Sequence, residues 1–416
     1  NLCKGLPTHK NKVTVPVMDK PPFGKPYKDP VFGAKVIRIS DTQKGEVVKP
    51  MYSTIQSWNA DESLMILYHT GGNPDNLGHH LYDGKTYKHL RKLDITAKDI
   101  EELYWHHTDP NVFFYVSANY KDYGYFMKYD VAADKATKVA DFMQYCGREG
   151  VPVSGNDVQM PPLSDDRFGF RCNDGRGQET GFIYEVSTDK TWSVPMGEGL
   201  KYDPWNAPML GPSGKNVRLM SYILDDTLKE NYELDLYEYH SHASLGRLAN
   251  GHDALFATAF DPAPGGCDGG PDKGVGSLTV HDFEEKTCRV VVGEFNGYGY
   301  PGSGTHVSAV GHKVPGWALM STIGYYNLEY LSNNKQAPLL FSEIWLVNTD
   351  PANFEVCRIA HHHSWAKAAE NVSYHGYLGE PHATLSPSGT RLVFGSDWKN
   401  SGSVDTYVVE LPAYVK

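Results

Sequence analysis

The sequence predicts an all-β protein, a seven-bladed β-propeller with four-stranded antiparallel blades, on three observations. The composition favours strands and tight turns, with 27 Tyr, 8 Trp, 41 Gly and 26 Pro in 416 residues. A strand–turn–strand unit recurs seven times along the chain. Its turn markers, Asp61, Asp109, Asp165, Ser213, Asp261, Val314 and Ser388, follow one another at intervals of 48 to 74 residues, most of them near 50. A repeat of 40–50 residues with four strands per unit is the signature of a propeller.

The units read in order as "SWNADESLMILY" (57–68), "YWHHTDPNVFFYV" (104–116), "MPPLSDDRFGFRC" (160–172), "PMLGPSGKNVRLMS" (208–221), "ATAFDPAPGG" (257–266), "SAVGHKVPGWALMS" (308–321) and "EPHATLSPSGTRLVFGSDW" (380–398). Each joins a strand to an apolar strand through a polar or Gly/Pro turn. Third and fourth strands follow, such as "HHLYD" and "YKHLRKLDI" in the first unit and "GFIYEVS" and "TWSVP" in the third. The last unit supplies three strands, ending in "DTYVVEL", and the N-terminal strand "GAKVIRIS" (33–40) is expected to close it. Residues 1–32 then form an extension and 33–416 a single propeller domain. Two units depart from the pattern. The fifth is expected to lose its second strand to the glycine-rich "APGGCDGGPDKGVG", and the sixth carries the long insertion "YYNLEYLSNNKQAPLLFSE".

The net charge of -11 argues against a nucleic-acid partner, which needs a basic surface. No apolar run reaches the length of a membrane span. Six cysteines without a CxxC pair form up to three disulfides or scattered thiols, and with the sequon Asn371-Val372-Ser373 they lean towards a secreted glycoprotein. The pairing stays open, with Cys146–Cys172 and Cys267–Cys288 as candidates because each pair lies within one blade region.

In a propeller the inner strand of each blade lines the channel, and its first residues face one mouth. That position holds His252 ("GHDA"), His306 ("GTHVS") and His382 ("EPHAT") in the last three blades. It holds Asn156 and Gln159 in the third and Asn206 in the fourth. Imidazoles converging in this way bind a metal, work on a substrate, or simply hydrogen-bond their neighbours. Loops at the same mouth add His79 and His80 ("NLGHHLYD"), Arg171 and Arg176 ("FGFRCNDGRG"), His106 and His107, Tyr145 and Arg148. Tyr222, Tyr239 and the pair Tyr325 and Tyr326 come from later blades. Arg171 follows the apolar "RFGF" directly and must find a partner or a ligand.

His, Tyr and Arg together suit β-elimination at a uronic acid. A cation neutralises the carboxylate, a base takes the C5 proton, and an acid protonates the leaving oxygen. Hydrolysis would want two carboxylates, for which Asp157, Asp253 and Glu380 are available, and a non-catalytic binding propeller is the third reading.

The closing units "GHDA", "GTHVSAVGHKVPGWALMS" and "EPHATLSPSGTRLVFGSDW" resemble those of the seven-bladed propeller polysaccharide lyases, which include ulvan lyases, oligogalacturonate lyases and the fungal rhamnose–glucuronate lyase. The resemblance implies β-elimination, driven by metal or by His and Tyr, at a rhamnosyl-(1→4)-glucuronate type of bond. By position, His79, His80 and Tyr145 resemble the catalytic set and Arg171 the neutralising arginine. Arg176, Tyr222, Tyr239 and Asn156 are the expected substrate contacts. His252, His306 and His382 resemble the metal set, with Ca²⁺ the first expectation and Zn²⁺ or Mn²⁺ the alternative if the ligands are histidines. The expected protein is a secreted monomer acting on an anionic polysaccharide.

Overall fold

Seven antiparallel sheets make up the protein in a computed structural model. It describes residues 1–147, 150–155, 157–173, 177–203, 205–234, 242–262, 267–268, 274–324, 335–366 and 376–415. Each sheet is one blade, numbered here 1 to 7 along the chain. The inner strands are Val47–Lys49, Leu103–Trp105, Val151–Val153, Met209–Leu210, Ala243–Arg247, His306–Ser308 and Thr384–Leu385. Blades 1 to 6 each run in chain order from inner to outer strand. Among the described residues the only α-helix is the single turn Met143–Cys146, and no helix is long and apolar enough to cross a membrane.

Blade 7 is closed by the N-terminus. Lys35–Arg38 pairs with Asp405–Glu410 in the register Val36↔Val409 and Ile37↔Val408, and Pro26–Lys28 adds a fifth strand outside it. Period-two alternation sends the side chains of a strand to its two neighbouring blades in turn. In the second strand of blade 3, Phe168 and Phe170 turn to blade 2 and meet Phe126, while Arg167 turns to blade 4 and pairs with Asp226. Completely buried rings such as Phe126 and Phe170 each stabilise the fold by about 1.5–3 kcal/mol.

The N-terminal extension is strapped to blade 6. Cys3 is disulfide-bonded to Cys357 in that blade's outer strand, Asn1 donates to Glu355, and the Arg358 guanidinium reaches the Asn11 carbonyl at 2.6 Å. Cys146–Cys172 and Cys267–Cys288 are also bonded, so no cysteine is free.

Blade 5 corrects the expectation for its unit. All four strands are present, Ala243–Arg247, Asp253–Ala259, Gly276–Asp282 and Thr287–Val292. The inner hairpin turns at Asn250-Gly251, where Gly251 has φ +92° and its N–H reaches the Leu248 carbonyl. Asn-Gly supplies the left-handed backbone that a tight turn requires. The Asp261-Pro262 pair therefore lies beyond the second strand.

Candidate metal centre at the channel mouth

Because strands alternate in direction, the start of an inner strand, the end of a second strand and the start of a third all lie at one end of the propeller. At that end a cluster forms where blades 5, 6, 7 and 1 meet. His306 begins the inner strand of blade 6, and His382 lies two residues before that of blade 7. Their rings stand edge to face with centroids 4.5 Å apart. The Nε2 atoms of both approach one oxygen, Glu380 Oε2, at 3.5 and 3.4 Å. These three ligand atoms lie within 4.8 Å of one another, as metal ligands must.

His242 stacks on His306, centroids 4.1 Å apart, and its Nδ1–H donates to the Thr305 carbonyl. Blade 1 sends in Lys49, whose Nζ donates to the Glu380 carbonyl at 3.0 Å and lies 2.7 Å from His382 Nδ1. Tyr52 stands against both His306 and His382. Tyr377 packs on His382, and its hydroxyl donates to Glu101 Oε2 at 2.6 Å. Tyr377 is 42% exposed and so reaches solvent.

Burial sets the charge state of this cluster. Desolvation holds His306 well below the usual imidazole range, and desolvation with the Lys49 charge brings His382 to about 3. Both rings are neutral at pH 7. Desolvation lowers Lys49 to about 8 and raises Glu101 to about 7, and it keeps the Tyr377 phenol protonated. His382 also holds φ +41°, a left-handed conformation that a non-glycine residue adopts at a cost of about 1–3 kcal/mol.

A divalent cation fits these residues. His382 Nε2 is buried without a hydrogen-bond partner, and Glu380 Oε2 faces both it and His306 Nε2. Below the cluster the channel is crossed by side-chain amides. Gln56 donates to the Leu385 carbonyl, and Gln159 bonds both Ala243 O and Leu245 N.

The structure separates the residues expected from the sequence. His306 and His382 converge. His252 does not join them, because it sits in the inner hairpin of blade 5, at the opposite end, with Nδ1 2.9 Å from Asp282 Oδ2. His242 takes the place expected for it. His79 is at the mouth end but buried, its Nε2 bonded to the Ile100 carbonyl. His80 has both ring nitrogens engaged, with Asn76 O and His89 Nε2. Tyr145 stacks on Phe182, and Arg171 pairs with Glu179 at 2.5 Å. Tyr222 packs edge-on against Tyr202. His106 caps its own turn through Nδ1, and His107 bonds Asp165. Asp253 bonds the Ser213 backbone at the opposite end. Arg148, Asn156, Arg176, Tyr239, Tyr325, Tyr326 and the sequon lie outside the described residues.

Lys49, Tyr52, Glu101, His242 and Tyr377 escaped the sequence reading. Only His242 carried a signal, since "ASLGRLANGHDALFATA" contains an Asn-Gly hairpin with a histidine just before its first strand. Arg218 escaped too. It is buried, its Nη1 has no hydrogen-bond partner, and it has no salt bridge among the described residues. Two other groups could hold a metal by proximity. Cys267, His281 and Cys288 include a disulfide, and His252, Asp282 and Glu284 lie at the far end.

Fold and site together define a seven-bladed propeller with a histidine–carboxylate cluster at the mouth of its channel. Solved structures of that shape include the oligogalacturonate lyase of Vibrio parahaemolyticus, with TM-score 0.62 and 13% identity over 94% of this chain and 97% of that one. An oligogalacturonate lyase in complex with manganese gives TM-score 0.60 and 13% identity over 94% and 96%. At this identity the likeness is one of fold. No protein-family model matches the sequence, and no curated protein does.

Proposed function

We propose that the protein is a secreted polysaccharide lyase that opens a rhamnosyl–glucuronate type of bond in a plant or algal polysaccharide by β-elimination. The convergence of His306 Nε2 and His382 Nε2 on Glu380 Oε2 at the end of the channel carries this reading. A metal bound by these three residues would supply the positive charge that neutralises the uronate carboxylate and acidifies the C5 proton. Two nitrogen donors and one carboxylate favour Mn²⁺ or Zn²⁺ over the Ca²⁺ expected from sequence.

The remaining roles follow from which atoms hold protons. The Thr305 carbonyl can only accept, so His242 carries its proton on Nδ1 and keeps the Nε2 lone pair as a base for the C5 proton. As that C–H bond breaks, C4–C5 becomes a double bond and the C4–O bond is lost. Tyr377, whose phenol stays protonated, gives its proton to the departing oxygen. Lys49 and Glu101 hold the ammonium and carboxyl groups that position His382 and Tyr377. Three disulfides with no free thiol support an oxidising, extracellular setting.

A hydrolase is the second reading, favoured by Glu101, which a raised value of about 7 suits to a general acid. Incubation with gum arabic, ulvan and polygalacturonate, with Mn²⁺ present, separates the two. Rising ultraviolet absorbance from the conjugated double bond supports elimination. New reducing ends without absorbance would replace the lyase by the hydrolase, and silence in both would leave a binding propeller.

A further inference from the structure

A second polar cavity, of about 290 Å³, opens where the N-terminal closing strand meets blade 1. Ser40, Asp41 and Thr42, just past the closing strand, line one side, and His69, His80 and His89 of blade 1 line the other. His79 and His80 are consecutive in one strand and face opposite ways. His79 turns to Ile100 and blade 2, whereas His80 turns into this cavity. The cavity thus lies on the blade 7 side of blade 1, where Val47 and Val48 of the inner strand line it next to Lys49.

The three imidazoles form a fixed relay. His69 stacks on His80 with centroids 3.6 Å apart, and His69 Nε2 meets the Tyr82 hydroxyl at 2.8 Å. The Asn76 carbonyl only accepts, so His80 carries its proton on Nε2. Desolvation keeps His80 and His89 below the usual imidazole range, so both are neutral. His80 Nδ1 must then accept from His89 Nε2–H at 2.9 Å, which leaves His89 Nδ1 with an unused lone pair. Across the cavity the Thr42 hydroxyl is buried with no hydrogen-bond partner.

The lining disfavours an anion: Asp41, which is paired with Arg38, and Glu46 contribute carboxylates, and neither lysine nor arginine is among the described lining residues. Phe23, 53% exposed, and Ile39 add an apolar surface to this set of hydroxyl-binding atoms. The volume is at the small end of ligand pockets and suits one sugar ring.

We propose that this cavity is a binding site for a single uncharged pyranose residue, held by hydroxyl contacts to Thr42, His89 and the carboxylates and packed on Phe23. It would give the protein a hold on a neutral sugar outside the histidine–carboxylate cluster, on the other side of the blade 1 inner strand from Lys49. The proposal does not rest on elimination chemistry, and its test involves no turnover.

The test is calorimetric titration and ligand-observed NMR with L-rhamnose, D-galactose and D-glucuronate, on the intact protein and on Thr42→Val and His89→Ala. His89 lies exposed in an outer strand, so its removal leaves the core alone. At least one neutral sugar is expected to bind, and each variant to weaken it tenfold or more while manganese uptake and melting temperature stay as in the parent. No binding of either neutral sugar would overturn the proposal, as would affinities unchanged in both variants. D-Glucuronate binding that both variants abolish would overturn the charge argument and the proposal with it. D-Glucuronate binding that neither variant affects belongs to the channel mouth, and the neutral-sugar result then decides.

Discussion

Lys49 places its ammonium 2.7 Å from Nδ1 of His382 and 3.0 Å from the Glu380 carbonyl, so a fully buried cation of the first blade locks the mouth of the last. Glu101 and Glu380 supply the opposite charge, and burial lowers Lys49 only as far as about 8. Replacing it by Met should leave Glu101 buried without its cation. Leaving the buried Glu380 carbonyl and His382 Nδ1 without their donor costs about 1–3 kcal/mol. The expected outcome is a lower denaturation midpoint together with turnover reduced at least a hundredfold. Denaturant unfolding and the absorbance assay check both.

His306→Ala and His382→Ala should each weaken manganese binding a hundredfold or more. His252→Ala should leave it unchanged, since His252 sits at the other end of blade 5. Titration calorimetry on protein stripped with a chelator measures this directly. Equal loss in all three variants would show that the metal site is elsewhere.

Tyr377→Phe keeps the ring against His382 and removes the proton that Tyr377 shares with Glu101. The expected result is a kcat lowered by about 10²–10³ with KM little changed, the mark of a lost general acid. The Tyr377 hydroxyl also helps keep Glu101 ionised, so the pH profile of the variant should shift upward.

Stability should fall steeply in acid. His69, His79, His281, His312, His362 and His363 are buried and lowered, to about 3 or 4, chiefly by desolvation. Unfolded, each titrates near 6.5 and takes up a proton that the folded protein refuses. Their contribution is complete above 6.5 and is lost as pH falls towards 3–4, at about 1.4 kcal/mol per pH unit for each group. Glu101 and Glu102, raised to about 7 and 8 by desolvation, act in the opposite sense between about 4.5 and those values. Two carboxylates do not offset six imidazoles below 6.5. Thermal melts at pH 7.5, 6 and 5 should show a falling midpoint, and a rising one would mean that these histidines are accessible to protons.

Reducing the Cys3–Cys357 disulfide frees the N-terminal strap from blade 6. The closed loop spans most of the chain, so its loss should destabilise by about 3–5 kcal/mol. Cys3→Ser with Cys357→Ser should lower the melting temperature more than the Cys267, Cys288 pair of substitutions, whose loop is short.

The blade pattern was legible in the sequence because each blade is a local unit. Turn residues and period-two apolar strands repeat whatever the neighbours do, and they located His306 and His382 as residues just ahead of inner strands. The fifth blade was misread where two turn signals competed. Asp261-Pro262 looked like a hairpin, Asn250-Gly251 was one, and the difference moved the third histidine from His242 to His252. A sequence does not rank two acceptable turns, since pairing of Ala243–Arg247 with Asp253–Ala259 decides between them.

What the sequence determined by itself, then, was the all-β class, the seven repeats, the N-terminal closing strand, and two of the mouth histidines. These rest on near neighbours in the chain and on a period. Tertiary structure alone decided the rest of the mouth. Lys49 meets His382 across 333 residues and Tyr377 meets Glu101 across 276, so closure of the ring makes those contacts and no local pattern anticipates them. The same holds for Cys3 and Cys357. It holds too for Arg171 and His80, reactive by residue type, which turned out to be engaged by Glu179 and by Asn76 and His89. A polar side chain's availability depends on what packs against it, and in a ring of blades that partner comes from a distant part of the chain.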